Sequence, residues 1–301
     1  MIIVKIFQGI GNQLFQYAYG RALSLDLGYR FKMDNSYFIN YSEVTQFGYT
    51  YKRDYGLSKF NINENLATIE EVENIKKISG SNRVSLFINR KLDQLAPYYK
   101  RKTVEELDTV FDPNLLKIKD NTYIEGYFTS ELYFSKHRNI LLNEFTLKSA
   151  PNQISAEIIK RMQETESVCI SIRRTNFLAN PLHNVCGTQY YLDGLRLMNE
   201  KIKKMRVFIF SDDNEWAFQN FHIPYEHEFV AHNYPDFYED LRLMTHCKHH
   251  VIPNSTFSWW AAWLAQYPDK NVIAPRFWLN SATIDYSTVV PESWIKIENK
   301  I

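Results

Sequence analysis

The sequence opens with MIIVKIFQGIGNQLFQYAYGRALSLDLG, residues 1–28, and this stretch decides the fold. Its first seven residues form a short apolar run rich in β-branched side chains, which favours a buried parallel strand. Gly9 and Gly11 follow at once, and apolar residues then recur at helical spacing up to Gly28, where a glycine C-cap is expected. A strand, a glycine turn and a helix in this order are typical of the start of a β-α-β unit.

The second half of the chain alternates strands with helices at regular intervals. Predicted strands lie at 168–172, 207–210, 250–252 and 272–274, and predicted helices at 190–202, 214–221, 236–245 and 257–266. This alternation predicts an α/β fold with a parallel sheet that is covered on both faces.

The first half is less regular. Residues 122–128 predict a strand and residues 131–145 a helix, whereas residues 35–102 are rich in Tyr, Asn and charged side chains. We interpret 35–102 as an elaborated insertion with one clear helix around 69–78. A change of pattern near residue 150 divides the chain into two predicted domains, 1–150 and 151–301.

The composition excludes several classes of protein. The 301 residues include 35 Lys and Arg against 34 Asp and Glu, and a net charge of +1 gives no electrostatic footprint for nucleic acid. Three cysteines without a CxxC pair argue against a disulfide framework, and no apolar stretch approaches the roughly 18 residues that span a bilayer. We therefore expect a cytoplasmic protein without a transmembrane segment. The aromatic share of 15% is high and fits cores, interfaces or sugar rings.

Polar clusters follow three predicted strands of the second half, just past their carboxyl ends. These clusters are Arg173-Arg174, Ser211-Asp212-Asp213 and Asn254-Ser255-Thr256. Open parallel sheets bind ligands outside these strand ends, so the fold should bring the three clusters together. Paired guanidinium groups suit a phosphate, a helix N-terminus after Asn254 suits an anion, and the aspartates suit ribose or guanine donors. Together the clusters predict a nucleoside diphosphate lying across the sheet.

Each cluster also has a simpler interpretation. An arginine pair often forms surface salt bridges, and the Asp212-Asp213 and Asn254-Ser255-Thr256 clusters are both typical of helix N-caps. Gly9-Ile10-Gly11 lacks the full GxGxxG spacing and is explained by a tight turn. His249-His250 has no metal-ligand spacing, and the tryptophans of 259–263 are expected to pack in a helix core.

Four segments resemble the α-1,2-fucosyltransferases of glycosyltransferase family 11. They are FQGIGNQLFQYA (7–18), GYFTSELYF (126–134), SDD (211–213) and NSTFSWWAAW (254–263), and they occur in the order typical of that family. The family motif HxRRxD is represented here by SIRRTN (171–176), so Ser171 and Asn176 stand where the family has His and Asp. Ser171 keeps a hydrogen-bonding group without a titratable ring, and Asn176 keeps an acceptor without a charge.

The resemblance implies a GT-B fold, in which two Rossmann-like domains face a central cleft. The second domain would hold GDP-L-fucose and the first a glycan, and an inverting, metal-independent transfer would place fucose on a hydroxyl, commonly O2 of a β-galactoside. The catalytic residues implied are Arg173, Arg174, Asn12 and Asp34. The donor-binding residues implied are Gly9, Gly11, Ser171, Asn176, Ser211, Asp212, Asp213, Asn254, Ser255, Thr256 and Phe257, and the acceptor-binding residues are Tyr127 and Glu131.

Two carboxylates are candidates for the general base. Asp34 stands at the end of a predicted strand at 29–33, and Glu131 begins a predicted helix. A turn or helix cap explains Asp34 equally well, and a first-turn position favourable to the helix dipole explains Glu131. The departing diphosphate is a third candidate. The aromatic stretches at 37–55 and 123–134 are the predicted sugar contacts.

Two further activities stay open at this stage. One is transfer of fucose or another GDP-sugar to a different acceptor, and the other is binding of a nucleotide sugar or glycan with little turnover. The acceptor is a free or lipid-linked glycan, and the latter would place the protein at the inner face of a bacterial membrane. The sequence shows no basic amphipathic helix that would indicate such a location.

Overall fold

The computed structural model describes residues 1–40, 43–46, 49–233 and 236–299. The chain forms two compact units, and the main division between them falls after Phe145, five residues before the expected boundary. The first unit contains residues 1–44, 52–145 and 287–289, and the second contains 45–51, 146–286 and 290–301. The return of 287–289 to the first unit has no signal in the sequence pattern.

Strands and helices are interspersed along the chain. The strands are β1 (Ile2–Lys5), β2 (Phe31–Asp34), β3 (Glu43–Gln46), β4 (Tyr49–Lys52), β5 (Thr103–Glu105), β6 (Thr122–Glu125), β7 (Glu166–Ile172), β8 (Met205–Ser211), β9 (Glu226–Phe229), β10 (His249–Val251), β11 (Val272–Pro275) and β12 (Ile295–Ile297). The helices are α1 (Ile10–Leu27), α2 (Tyr37–Asn40), α3 (Ile69–Lys76), α4 (Arg83–Leu95), α5 (Arg138–Glu144), α6 (Gln153–Glu164), α7 (Thr175–Ala179), α8 (Thr188–Lys201), α9 (Asn214–Asn220), α10 (Phe237–Thr245) and α11 (Thr256–Leu264). Short 3-10 turns lie at Leu57–Lys59, Tyr98–Lys100, Pro113–Lys117, Glu131–Tyr133 and Ser135–His137.

The first unit is built on a parallel sheet in the order β2-β1-β6-β5. Helix α1 packs closely on it at Gly20, where an added Cβ would lie 2.4 Å from Cε2 of Phe31 and 2.9 Å from Cγ2 of Val4. The helix ends at Gly28 in the left-handed conformation, with a φ of 70°, as the sequence predicts. The opening strand, turn and helix are therefore confirmed.

The second unit is built on a six-stranded parallel sheet in the order β12-β11-β10-β7-β8-β9. Strand order reverses between β7 and β10, which makes this the topological switch point where such sheets bind ligands. The sheet and its helices bury a core that includes Val168, Tyr190 and Leu195. The predicted α/β fold is confirmed in both halves of the chain.

Tryptophans of α11 lie in this core, as predicted. Trp259 and Trp260 have no exposed surface and Trp263 is 2% exposed, and the three rings contact one another. The predicted helix at 131–145 is wrong in part, because two 3-10 turns occupy its first half and α5 begins only at Arg138. Ser130 turns the chain here, since its hydroxyl accepts from the Leu132 N–H and ends regular structure.

Helix α4 was missed in the sequence, and the expectation that the chain has no basic amphipathic helix is wrong. Its sequence, RVSLFINRKLDQL, spaces apolar residues on one side of a helix and adds three basic side chains. The N-cap of the helix is Asn82, whose side chain accepts from the Ser85 N–H in a capping box. None of its residues is fully buried. No helix of the described ranges is long and apolar enough to cross a membrane.

Candidate functional site

The carboxyl edge of the second unit's sheet carries the polar clusters predicted from the sequence. Arg173 follows β7 directly, Ser211 is the last residue of the adjacent β8, and Asn254 follows β10 on the other side of β7. Ile172 and Ser211 are register partners, so β7 and β8 end at the same level. The parallel topology therefore brings the clusters to one edge, on both sides of the switch point.

The guanidinium of Arg173 contacts two side chains, and one of its N–H donors has no acceptor among the described residues. Its Nη1 lies 3.2 Å from Oδ2 of Asp212, and its Nη2 donates to Oδ1 of Asn176 at 3.1 Å. Its Nε is buried and has no hydrogen-bond partner among the described residues. A buried guanidinium donor without an acceptor is costly unless a ligand supplies one, and an anion is the natural supplier. Asn176 thus positions Arg173 although it lacks the charge of an aspartate.

Arg174 has a different environment from its neighbour. Its guanidinium carbon lies 3.4 Å from the centre of the Trp216 ring, and its Nε lies 3.4 Å from Oδ2 of Asp213. Its backbone N–H donates to Oδ1 of Asp212 at 2.8 Å. Arg174 therefore packs on α9 and braces the edge, so that Arg173 is the better placed of the two for a ligand.

The aspartates mainly organise the loops. Asp212 accepts from the Arg174 backbone and from the Thr175 hydroxyl while it pairs with Arg173. Asp213 caps α9 by accepting from the Trp216 N–H at 3.2 Å, and Oγ of Ser211 accepts from the Asp213 N–H at 3.0 Å. The helix-cap interpretation thus describes Asp213, and Asp212 fixes the arginine loop.

Helix α11 starts at the same edge. Ser255 is its N-cap residue, but its side chain makes no capping hydrogen bond within the described chain, so the first N–H groups of the helix are left to other acceptors. Thr256 and Phe257, which are half-buried, form its first turn. The next residue is Ser258, whose Oγ donates to Oγ of Ser171 at 2.9 Å. Ser171 therefore links the end of β7 to α11.

Asn254 has a structural role that its motif does not reveal. Its Nδ2 donates to the backbone oxygens of His183 at 3.0 Å and of Trp278 at 2.9 Å. This places His183, which sequence reasoning missed, beside Arg173, and both groups contact the ring of Phe177. Burial and the charge of Arg173 lower the pKa of His183, so its imidazole is neutral near pH 7. An imidazole thus lies at this edge although Ser171 replaces the histidine of the motif.

The first unit has a different edge at the carboxyl ends of β1, β6 and β5. Gln8 follows β1 in the left-handed region, with a φ of 67°, and Gly9 is the N-cap of α1. Nε2 of Gln13 donates to the backbone oxygens of Gln8 and Asp54 and its Oε1 accepts from the Gly56 N–H, each at 2.9 Å. The glycine turn is therefore fixed by a buried amide.

The neighbouring residues of this turn differ in exposure. Gly11 is buried and Asn12 is half-buried, with its backbone N–H bonded to the Gly9 oxygen. Asn12 is thus the residue of the two that has exposed surface available to a ligand. Gln16 joins the turn to the 126–134 segment, because it accepts from the Phe7 N–H at 3.0 Å and donates to the Gly126 oxygen at 3.2 Å.

The two carboxylates considered as bases from the sequence have different surroundings. Asp34 is only 3% exposed, and its oxygens accept from the Tyr123 hydroxyl at 2.7 Å and the Ser36 N–H at 3.0 Å. This geometry gives Asp34 the turn-stabilising role that the sequence left open. Glu131 is half-buried on a 3-10 turn, and its charge acts on Arg138.

Glu106 is a third carboxylate, which the sequence did not single out. It follows β5, and its Oε2 accepts from the N–H groups of Tyr127 at 2.7 Å and Phe128 at 3.0 Å. These bonds hold Phe128 in the left-handed region, with a φ of 53°. Burial raises the pKa of Glu106 to about 7, and nearby Asp108 also raises it. A half-buried carboxyl group that titrates near neutrality at a strand end is a candidate acid or base.

Aromatic rings surround this carboxylate. Tyr127 is 40% exposed, and its ring lies edge-on to Phe7 at 5.0 Å, while Tyr37 lies 6.1 Å from Phe7. Partly exposed aromatic faces suit the apolar faces of a sugar. Of the predicted aromatic stretch 37–55, residues 41, 42, 47 and 48 lie outside the described residues.

Comparison with known proteins agrees with this geometry. A sequence profile for "Glycosyl transferase family 11" matches residues 1–298. An alpha-1,2-colitosyltransferase of Escherichia coli is 29% identical over 306 residues, which cover 99% of this chain and 99% of that protein. The O-antigen biosynthesis glycosyltransferase WbnK of Escherichia coli is also 29% identical, over 96% of this chain and 98% of its own.

Solved structures show a more distant likeness. A crystal structure of POFUT1 with GDP-fucose aligns over 91% of this chain and 97% of its own, with a TM-score of 0.48 and 14% identity. A crystal structure of the α-1,6-fucosyltransferase NodZ soaked with GDP-fucose aligns over 87% and 92%, with a TM-score of 0.44 and 14% identity.

Proposed function

The chain belongs to glycosyltransferase family 11, and we propose that it transfers a fucose-type sugar from a GDP-activated donor to a glycan hydroxyl. O2 of a β-galactoside is the proposed acceptor position, and the acceptor is a glycan that a lipid can carry. The buried, partnerless Nε of Arg173 at the sheet edge is the observation that carries the proposal, because it supports an anionic donor there.

The diphosphate of the donor binds at the edge formed by Arg173 and the start of α11. The guanidinium and the helix N–H groups together offer charge-assisted hydrogen bonds to phosphate oxygens. Ser171, Asn176 and Asp212 act through these groups, since they fix the arginine loop and α11. We propose that the arginine charge neutralises the leaving group without a metal ion.

The transfer itself is an inverting displacement. The acceptor oxygen attacks the anomeric carbon, the bond from that carbon to the phosphate oxygen breaks, and GDP leaves with the electron pair. Arg173 stabilises the charge that develops on the diphosphate, and one such donor is worth about 3 kcal/mol. Asn12, next to the glycine turn of the first unit, is the proposed contact to the transferred sugar.

Glu106 is the proposed general base. Its carboxylate takes the proton of the acceptor hydroxyl while Tyr127 packs against the acceptor sugar. Two backbone N–H groups orient the carboxylate, because Oε2 accepts from Tyr127 and Phe128 and Oε1 accepts from Phe128 at 3.2 Å. Oε1 keeps a lone pair for the proton. Its pKa of about 7 suits this role, because a base is most effective when its pKa lies near the working pH. Asp34 is only 3% exposed, whereas Glu106 is half-buried, so we prefer Glu106.

Transfer of colitose is the second candidate. Colitose is the 3-deoxy counterpart of fucose, and the E. coli relative named above transfers it according to its name. The replacement of His and Asp by Ser171 and Asn176 is consistent with a changed donor preference.

The test is GDP release by the purified protein with GDP-fucose or GDP-colitose and a panel of β-galactosides. We expect release that depends on both donor and acceptor and that persists in EDTA. A site that bonds O3 of fucose would reject colitose by a factor of about 10⁴ in kcat/KM, so the ratio of the two donors identifies the substrate. Tight GDP binding without release for any pair would instead support a binding protein and contradict the proposed transfer.

A further inference from the structure

Helix α4 exposes an apolar face that nothing in the described chain covers. Phe87 is 62% exposed, Leu92 60% and Leu95 81%, and Val84 and Ile88 are also exposed. At 100° per residue these five side chains fall within an arc of about 140°. Large apolar side chains grouped in this way mark an interaction surface rather than ordinary surface variation.

The opposite face of α4 is fixed to the first unit. Nδ2 of Asn89 donates to the Ser79 oxygen at 2.7 Å, and Oδ1 of Asp93 accepts from the Lys102 N–H at 2.8 Å. At the C-terminal end, Nε of Arg101 donates to the Ala96 oxygen at 3.1 Å. The helix is thus held in place by its caps and polar face, and the apolar face points away from the protein.

A basic pocket lies beside this face. It has a volume of about 350 Å³ and is lined by Lys77, Lys102 and Lys119, together with Leu92 of the apolar face and Asp93. Burial and the positive charge of Lys119 lower the pKa of Lys102. Such a pocket suits a phosphate group, and Leu92 makes it continuous with the apolar face.

We propose that α4 and this pocket dock the protein on an anionic phospholipid surface. The five apolar side chains enter the boundary between headgroups and acyl chains, and the lysine pocket takes a lipid phosphate. Arg83, Arg90 and Lys91 add positive charge on the helix itself, against one acidic residue, Asp93. Basic residues beside an exposed apolar face are the signature of a helix that lies in a membrane interface. A second copy of the chain would place like charges against one another.

This proposal deepens the proposed function, because a lipid-linked acceptor would be met at that surface. It involves none of the residues assigned to transfer. A failure of docking therefore leaves GDP release on a soluble acceptor intact, and a failure of transfer leaves docking intact.

The experiment is flotation of the full chain with vesicles of phosphatidylethanolamine and phosphatidylglycerol, with phosphatidylcholine vesicles as the neutral comparison. We expect the wild type to float with the anionic vesicles. Leu92→Glu with Leu95→Glu should lower the bound fraction at least about tenfold, because burial of each leucine is lost. Lys77→Ala with Lys119→Ala should weaken the preference for anionic vesicles, because the three basic side chains of α4 itself remain. The matched control is Ile154→Glu, an exposed apolar residue of α6, which should bind like the wild type.

Several outcomes would overturn the proposal. They are wild-type protein that stays unbound, leucine variants that bind as well as the wild type, and lysine variants whose preference for anionic vesicles equals that of the wild type. A wild-type dimer that the leucine variants convert to a monomer, with no vesicle binding, would assign the face to a second copy. Circular dichroism and GDP release on a soluble acceptor show that the variants are folded.

Discussion

The two parallel sheets of this protein end in edges of opposite chemical character. In the second unit the edge is cationic and cross-linked, with Arg173 and Arg174 paired to Asp212 and Asp213. In the first unit the edge is aromatic, with Phe7 and Tyr127 close to a carboxyl group of raised pKa. The same strand topology therefore carries the proposed anion site in one unit and the proposed sugar site in the other.

The difference shows which interactions hold the side chains of each edge in position. The cationic edge is positioned by ion pairs between side chains, whereas the aromatic edge is positioned by strained backbone and buried amides. Gln8 and Phe128 are both non-glycine residues at positive φ, and such residues persist only where the surroundings hold them. Substitutions should therefore affect donor binding on one side and proton transfer or acceptor affinity on the other.

The largest effect is expected from Arg173→Ala. Loss of the guanidinium removes the principal cation from the proposed donor site, so kcat should fall by about 10²-fold or more and GDP affinity should fall with it. GDP release and calorimetric titration with GDP measure the two quantities. Arg276→Ala is the matched control, because Arg276 follows β11 in the same sheet but pairs with Glu298 at an exposed site. A full rate in Arg173→Ala would contradict the diphosphate assignment.

A smaller effect is expected from Glu106→Gln. The amide keeps an acceptor for the Tyr127 and Phe128 N–H groups but cannot take a proton, so kcat should fall by about 10²-fold with GDP affinity unchanged. The wild-type rate should rise with pH and level off above the pKa of about 7, because the base must be deprotonated. The variant should lose this rise.

The neighbouring strand residue provides the control for this pH profile. Glu105 is exposed at the end of β5, and Glu105→Gln should keep both the rate and the profile of the wild type. If Glu106→Gln retained the pH-dependent rise, the base would lie elsewhere, with Glu131 and a diphosphate oxygen as the remaining candidates.

The smallest effect is expected from Tyr127→Ala. Loss of one aromatic contact costs about 1 kcal/mol, so the KM for the acceptor should rise about fivefold while the KM for the donor stays the same. Tyr99→Ala removes an aromatic ring from another part of the first unit and should change neither value. An increase in the donor KM alone would mean that Tyr127 contacts the donor, which would contradict its assignment to the acceptor.

The second unit could be predicted well from the sequence because its signals are local. Its core strands and helices have clear apolar periodicity, and each polar cluster directly follows a strand, so the parallel topology alone brings the clusters together. The sequence could not show which of the two arginines is better placed for a ligand, since that depends on the packing of Arg174 against Trp216.

The first unit was harder to predict because its site depends on contacts between distant segments. Glu106 gains its raised pKa only when the folded chain buries it, and the N–H groups of the 126–128 turn, which fix the carboxylate, oppose that rise. Asp34 ends a strand, as a base at the site would, but its carboxylate is buried against Tyr123. Helix α4 was missed because the insertion's polar composition hid its apolar spacing, although Asn82 and Ser85 form a recognisable capping box.

The amide of Gln13 has a consequence for how the molecule can diversify. All three of its partners, at Gln8, Asp54 and Gly56, are backbone groups, so the anchor does not depend on the side chains of the segment that it holds. The segment between β2 and this anchor can therefore change in sequence while its end remains docked beside the glycine turn. Gln13 thus anchors the end of a segment whose side chains can vary between related sequences, and such variation could change the proposed acceptor preference.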